Sequence, residues 1–154
     1  MIKITTQINK DTAVFARSAV VNYLQILESN YDISVSTEQT REIKTALAEA
    51  VTNVFMHAYC SEEYNNRSQT VEIVLDELEL EDKIALKVTV KDYGIGMTDV
   101  KKCMEPMYTT KGNEQRCGLG FTIMETMVDE LKVHSLPTCT TTIILIKYFE
   151  KVEE

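Results

Sequence analysis

The chain has 154 residues, enough to close one hydrophobic core, and its 44% hydrophobic and 26% charged content is that of a folded globule rather than a disordered chain. Its 24 acidic and 16 basic residues give a net charge of −8, which argues against the basic footprint of a duplex-binding protein and for no direct nucleic-acid role. No apolar run approaches the roughly 20 residues of a membrane span, and Met1-Ile2-Lys3-Ile4-Thr5-Thr6-Gln7 lacks the layout of a signal peptide, so a cytoplasmic protein with no membrane contact is expected.

Taken in order, residues 2–8 alternate Ile2 and Ile4 against Lys3 and Thr5 and predict a short strand. Asp11 or Thr12 can cap a helix whose apolar positions Val14, Phe15, Ala19, Val20, Tyr23, Leu24 and Leu27 recur at helical spacing. Arg17 falls in its first half. Asn30-Tyr31-Asp32 breaks that helix, and Ser36 or Thr37 caps a second one over residues 38–59, with Glu38 and Gln39 in its first turn. Residues 61–68 are polar and read as a loop. Residues 70–75 and 83–91 are β-rich, and the acidic stretch 77–82 reads as the hairpin turn between them. A short helix from Thr98 or Asp99 to Met104 follows, and then an irregular segment from Pro106 to Cys117. Gly118-Leu119-Gly120-Phe121 opens a helix through Ile123, Met124, Met127 and Val128, and residues 131–136 and 141–148 form a last strand pair interrupted at Pro137. The expected organisation is one domain, 1–150, with a frayed acidic tail, 151–154. The expected architecture is an α/β (α+β) two-layer sandwich: a mixed, mostly antiparallel sheet covered on one face by helices.

Three stretches carry possible chemistry. Within the second helix Glu49 and Asn53 lie one turn apart on one face, among apolar neighbours. Such a pair is costly if buried without partners, which a ligand could supply. Asn offers a neutral oxygen to Mg²⁺, and Glu offers a base. Alone, the pair reads more readily as helix support, by roughly two to one. At the end of the second β-rich run stands Asp92-Tyr93-Gly94-Ile95-Gly96, where a carboxylate can accept from an exocyclic amine and glycines let the backbone approach a flat ligand. Alone, this is a common turn. Gly118-x-Gly120 opens a helix whose free N–H groups favour a phosphate, and Thr109, Thr110, Lys111 and Arg116 precede it. Neither glycine pair is a Walker loop or a dinucleotide fingerprint. Cys60, Cys103, Cys117 and Cys139 form no Cys-x-x-Cys pair, so free thiols are expected, and His57 with Cys60 supplies too few ligands for zinc.

The order of these three stretches is far more specific than any one of them. The chain resembles the GHKL ATPase superfamily with its N-box, G1-box and G2-box, and within it the small bacterial anti-sigma factor serine kinases of the sporulation anti-sigma-F type. The resemblance rests on Glu49-Ala50-Val51-Thr52-Asn53 with His57, Asp92-Tyr93-Gly94-Ile95-Gly96, Pro106-Met107-Tyr108-Thr109-Thr110-Lys111 and Gly118-Leu119-Gly120-Phe121-Thr122-Ile123-Met124-Glu125. It extends to Phe15-Ala16-Arg17 and Thr140-Thr141-Thr142-Ile143. It implies a Bergerat-type site for ATP and Mg²⁺. Asn53 would ligate Mg²⁺, Asp92 would bind the adenine amine, and Gly94 and Gly96 would shape the adenine pocket. Thr109, Thr110, Gly118, Leu119 and Gly120 would form a lid around the phosphates, with Arg116 near the γ-phosphate. Thr141 would add a polar contact at the adenine end, and Glu49 would be the catalytic base that orients a serine hydroxyl. The implied partners are a sigma factor, met through Arg17, and an anti-anti-sigma protein of the STAS type as phosphorylation substrate, with a homodimer as the assembly.

Ala58, Cys117 and Thr140 depart from the family pattern, standing where Gly, Ser and Gly are usual. Three other readings remain: a general-stress anti-sigma kinase with the same boxes, a histidine-kinase catalytic domain, and a nucleotide-gated sigma-binding module without transfer. The second would need a phospho-accepting histidine on a separate helix, whereas the chain has only His57 and His134.

Overall fold

The structure, a computed structural model, describes residues 1–59, 69–105 and 119–152. Strand β1 (Ile2–Gln7) leads into α1 (Thr12–Asn30), and α2 (Thr37–Asn53) continues without a break into a π-helical turn, Val54–Ala58. Strands β2 (Thr70–Glu79) and β3 (Lys83–Asp92) form a hairpin, followed by the short α3 (Val100–Met104), α4 (Gly120–Met127), β4 (Glu130–Leu136) and β5 (Thr140–Glu150). The five strands make one sheet in the order β1-β2-β3-β5-β4, with every pairing antiparallel. This is the two-layer α+β architecture that the alternating strands predict. No helix among the described residues is long and apolar enough to cross a membrane.

The layers follow from periodicity. Val71, Ile73 and Leu75 of β2, Ile84, Leu86, Val88 and Val90 of β3, and Ile143, Leu145 and Phe149 of β5 are all buried, at the period of two that places them on one face. Helix α1 lays Ala16, Val20, Leu24 and Leu27 against that face, α2 adds Ile43, Leu47, Ala50 and Val51, and α4 adds Met124. The opposite face carries exposed charge, such as the Lys3–Glu72 pair at 3.0 Å. Burial on this scale is what offsets the conformational entropy of ordering the chain.

The ends of the elements also have local causes. Ser36 and Gln39 form a reciprocal capping box at the start of α2: Gln39 N donates to Ser36 Oγ at 3.1 Å, and Ser36 N donates to Gln39 Oε1 at 2.9 Å. At α1, Asp11 makes no side-chain cap; instead Thr12 Oγ1 accepts from Asn9 N at 2.9 Å. The acidic stretch expected to be a turn is largely strand, because β2 runs to Glu79 and only residues 80–82 turn. Glu77 is tolerated there because its carboxylate accepts from the Tyr23 hydroxyl of α1. Lys151 and Val152, placed in the tail by sequence, are held by backbone bonds from Lys151 N to Asp82 O at 2.9 Å and from Val152 N to Asp32 O at 2.7 Å. Residues 153–154 lie outside the described residues.

One buried charge ties the layers together. Lys147 of β5 points into the core face, and its ammonium meets Glu42 of α2 at 2.8 Å and Asp129, just past α4, at 3.6 Å. Asp129 in turn accepts from the backbone N–H of Tyr148 at 2.7 Å. Removing one member of such a cluster strands the others in a poorly hydrated place, whereas an apolar replacement of both partners is tolerated. Lys147→Met is therefore expected to lower stability by about 2 kcal/mol, or roughly 6 °C in Tm. Lys147→Met combined with Glu42→Leu should recover most of that loss. Thermal unfolding of both variants checks this, and equal losses in the two would contradict it.

Candidate functional site

The Glu49/Asn53 face of α2 meets the first residue of α4. Neighbouring positions Ala46, Leu47, Ala50 and Val51 are buried in the core, which leaves Glu49 and Asn53 half-buried on the flank of the helix. A Cβ on Gly120 would stand 3.2 Å from Asn53 Oδ1, 3.4 Å from its Nδ2 and 3.4 Å from Glu49 Oε2. The bare α-carbon thus lets the start of α4 press against both polar side chains. Leu119, the flanking residue of α4, is exposed, and its carbonyl accepts from Ile123 N at 2.8 Å. The N–H groups of the first turn have no partner within the helix and are available to a ligand at this end.

Immediately after Asn53, α2 widens into the π-helical turn Val54–Ala58. Such insertions leave one residue out of the regular ladder and re-aim the chain. Here the Ala58 carbonyl accepts from Ile95 N at 2.8 Å. Gly94 packs so tightly on the same carbonyl that a Cβ would lie 2.0 Å from the Ala58 oxygen, a distance no side chain can occupy. Tyr59 adds a second tie: its hydroxyl accepts from Tyr93 N at 3.0 Å and donates to the Thr70 carbonyl. Burial pushes that phenol above its usual pKa. Gly96 has φ +64°, and a Cβ there would stand 2.2 Å from Leu136 O in the β4–β5 turn. The whole 92–96 segment is therefore clasped between the end of α2 and that turn.

Asp92 ends β3 with its carboxylate on the core face, 4% exposed. It accepts from Gly94 N at 2.9 Å and from the backbone N–H of Thr141, its register partner on β5. Burial raises its pKa to about 6 despite these two bonds. Thr141 is also buried, and its hydroxyl lies 3.0 Å from Ser135 Oγ on β4. The departure at Thr140 leaves this end closed: its hydroxyl donates to the Asp92 backbone carbonyl. The result is a polar row, Asp92–Thr141–Ser135, at the rim of an otherwise apolar face. A buried carboxylate needing further donors is suited to an amine-bearing ring.

Of the residues singled out by sequence, Glu49, Asn53 and Gly120 come together at one position, and Asp92, Gly94 and Thr141 at another; the π-helical turn joins the two. Gly96 supports the second group from below. Thr109, Thr110, Arg116 and Gly118 lie outside the described residues. Arg17 is exposed on α1, beside a shallow groove of about 470 Å³ that Val14, Ser18, Val21, Asn22 and Lys44 also line. Cys103 and Cys139 are free thiols, while Cys60 and Cys117 lie outside the described residues. Among the described residues no three of His, Cys, Asp and Glu gather as a metal cluster. A cation here would take one oxygen from Asn53 and the rest from its ligand and water, as Mg²⁺ does on a triphosphate. The donor chemistry fits: Asn53 Oδ1 is a neutral oxygen, and Glu49 Oε2 lies beside the same Gly120 position. Sequence reasoning missed Tyr59 and Ser135, since a lone tyrosine or serine has no spacing to betray it.

Comparison with known proteins agrees with this geometry. The model of the histidine kinase-like ATPase domain matches residues 16–147. The anti-sigma F factor of Clostridium novyi is 37% identical over 139 residues, 90% of this chain and 87% of that protein. The anti-sigma F factor of Bacillus subtilis is 36% identical over 137 residues, 89% of this chain and 84% of that one. The fold also matches part of the solved structure of the RsbU and RsbW domains of Rv1364c from Mycobacterium tuberculosis, with TM-score 0.58 at 13% identity; all of this chain aligns, with 34% of that longer one. The chain belongs to the histidine kinase-like ATPase domain family, alongside anti-sigma F factors that share more than a third of its aligned residues over nine-tenths of its length.

Proposed function

We propose that the chain is an anti-sigma factor and a protein-serine kinase that uses Mg²⁺ and ATP. In this reading it holds a sporulation sigma factor of the sigma-F type and phosphorylates a serine of a STAS-type anti-anti-sigma protein, working as a cytoplasmic homodimer. The observation that carries the reading is the contact of Gly120 with both Glu49 and Asn53. It sets a carboxylate, an amide oxygen and a helix start within one small volume. Asp92 and Thr141 stand at the far end of the π-helical turn, where a nucleotide base would reach.

The roles follow from chemistry. The Asp92 carboxylate accepts from the exocyclic amine of adenine, with Thr141 beside it and Gly94 and Gly96 giving the base a flat floor. By the resemblance, the phosphates would lie toward the start of α4, with Thr109, Thr110, Gly118, Leu119 and Gly120 as their cover and Arg116 to neutralise the γ-phosphate. Asn53 offers its oxygen to Mg²⁺, which when bound neutralises charge on the phosphate oxygens. Glu49 accepts the proton of the incoming serine hydroxyl and holds that oxygen in line. Phosphoryl transfer asks for little more than such positioning and charge neutralisation. Closure over the phosphates keeps water out and so favours the serine as acceptor. Arg17, exposed on α1 beside the groove it shares with Lys44, would meet the sigma factor.

Glu49→Gln should keep ATP affinity within about twofold and lower serine phosphorylation by at least roughly 100-fold, since general-base catalysis supplies about that factor. Phosphoserine measured by mass in an anti-anti-sigma protein incubated with ATP and Mg²⁺ checks this; unchanged transfer would remove Glu49 from its role and leave a binding module without a base.

Asp92 links the site to pH. Its folded pKa, about 6, lies above the ordinary 3.8, so the folded protein without nucleotide binds the extra proton between those values. The group therefore adds stability as pH falls through 6, and its charge is a cost at pH 7. Asp92→Asn is expected to raise the Tm of the nucleotide-free protein by roughly 3 °C at pH 7 while weakening ATP at least about tenfold. In the parent protein ATP affinity should fall as pH drops below 6, because the carboxylate must first lose its proton. Calorimetric titration at pH 5 and 7.5 reads this, and pH-independent binding would place adenine elsewhere.

Arg17→Ala should spare ATP binding and weaken the sigma factor by about tenfold or more, as loss of an interface arginine commonly does. Unaltered co-purification of the sigma factor with that variant would move the interface off α1.

A further inference from the structure

The hydroxyl of Ser135 has a complete set of bonds. It accepts from Met97 N at 2.7 Å, donates to the Thr140 carbonyl at 3.0 Å, and lies 3.0 Å from Thr141 Oγ1. A serine hydroxyl has one proton and two acceptor positions. The 3.0 Å contact with Thr141 allows either hydroxyl as donor; with the Ser135 proton on Thr140 O, Ser135 accepts there and Thr141 donates. In that arrangement the Thr141 hydroxyl proton points toward β4, and only its lone pairs are left for a further partner. Ser135 and Thr141 are register partners across β4 and β5, and Thr141 and Asp92 are partners across β5 and β3, so the three side chains share one face of the sheet.

We infer that Ser135 is a specificity-determining positioning residue: by taking the Thr141 proton it leaves this end of the site with acceptors alone, and so selects a base that carries an amine at its six-position and rejects one that carries a carbonyl. Asp92 supplies one acceptor and Thr141 the second. A six-amino purine offers its amine hydrogens to both, whereas a six-oxo purine puts a carbonyl lone pair at that position and keeps only its N1–H as donor. A site built for donors discriminates strongly against an isostere that lacks them, because its buried acceptors are then left unpaired. Ser135 touches no base itself; it acts through Thr141 and, by its bond to Met97 N, through the segment that follows Gly96. The inference rests on the nucleotide site proposed above.

ATP and ITP differ at the six-position without the extra amine of GTP, and so they read this property most directly. Calorimetric titration of the parent protein with each, in the presence of Mg²⁺, is expected to show ATP tighter by at least about 100-fold. Ser135→Ala frees the Thr141 hydroxyl to turn its proton toward a carbonyl, and the ATP-to-ITP ratio should fall by about tenfold, with ITP gaining as ATP loses. Ser135→Thr keeps the hydroxyl and should retain the parent ratio. Thr141→Val, which removes the group Ser135 acts on, should cost ATP affinity and make a further Ser135→Ala change silent in the ratio. Equal weakening of both nucleotides by Ser135→Ala would mean a merely structural serine and overturn the inference, as would an unchanged ratio. If the parent protein binds ATP and Asp92→Asn weakens it while the Ser135→Ala ratio stays put, the inference fails alone. If the parent protein binds neither nucleotide, the site reading fails and the inference goes with it.

Discussion

The geometry of the site depends on one close backbone contact. Gly94 lies against the Ala58 carbonyl with no room for a β-carbon, and the same carbonyl accepts from Ile95 N. This contact joins the end of α2 to the segment after β3. Without it Asn53 and Asp92 would belong to different parts of the surface. The π-helical turn between Asn53 and Ala58 delivers the carbonyl to that position, so a local irregularity in a helix sets the distance between the two groups of polar residues. Ala58 is itself buried, while its carbonyl does the joining.

The second constraint is the one-sided core. The sheet is apolar toward α1, α2 and α4, and that face runs out at Asp92, Thr141 and Ser135. Polar groups at the end of a core are expensive unless fully bonded. Backbone N–H groups of Gly94 and Thr141 satisfy part of Asp92, and Ser135 is satisfied throughout. The residual cost appears as the raised pKa of Asp92. A functional group left under-satisfied in the unliganded protein is a usual mark of a binding site. At the other end of α2 and α4, Lys147 with Glu42 and Asp129 holds the same two layers together.

Much of this was legible in the residues. The alternation in β3 and β5 and the helical spacing in α1 and α2 predict the layers, and of the residues picked out by type, Glu49, Asn53 and Gly120 fall together, as do Asp92 and Gly94. The turn around Glu77 was misjudged because its partner, the Tyr23 hydroxyl, is 54 positions away and leaves no local trace. The π-helical turn was hidden because Val54, Phe55, Met56 and Ala58 suit an α-helix equally well. Thr140 read as a weakness in the pattern, yet its hydroxyl bonds the Asp92 backbone, which only the pairing of β3 with β5 reveals. Ser135 is one more polar position of an alternating strand by sequence, since its bonds come from β5 and from Met97, 38 positions away.

A crystal structure of the protein with Mg²⁺ and a non-hydrolysable ATP analogue is the most direct test of the shared site. The expected result is an adenine amine about 3 Å from the Asp92 carboxylate, with the phosphates between Asn53 and the start of α4. Adenine bound elsewhere, or no nucleotide at saturating concentration, would contradict a single cleft built from α2, the 92–96 segment and α4.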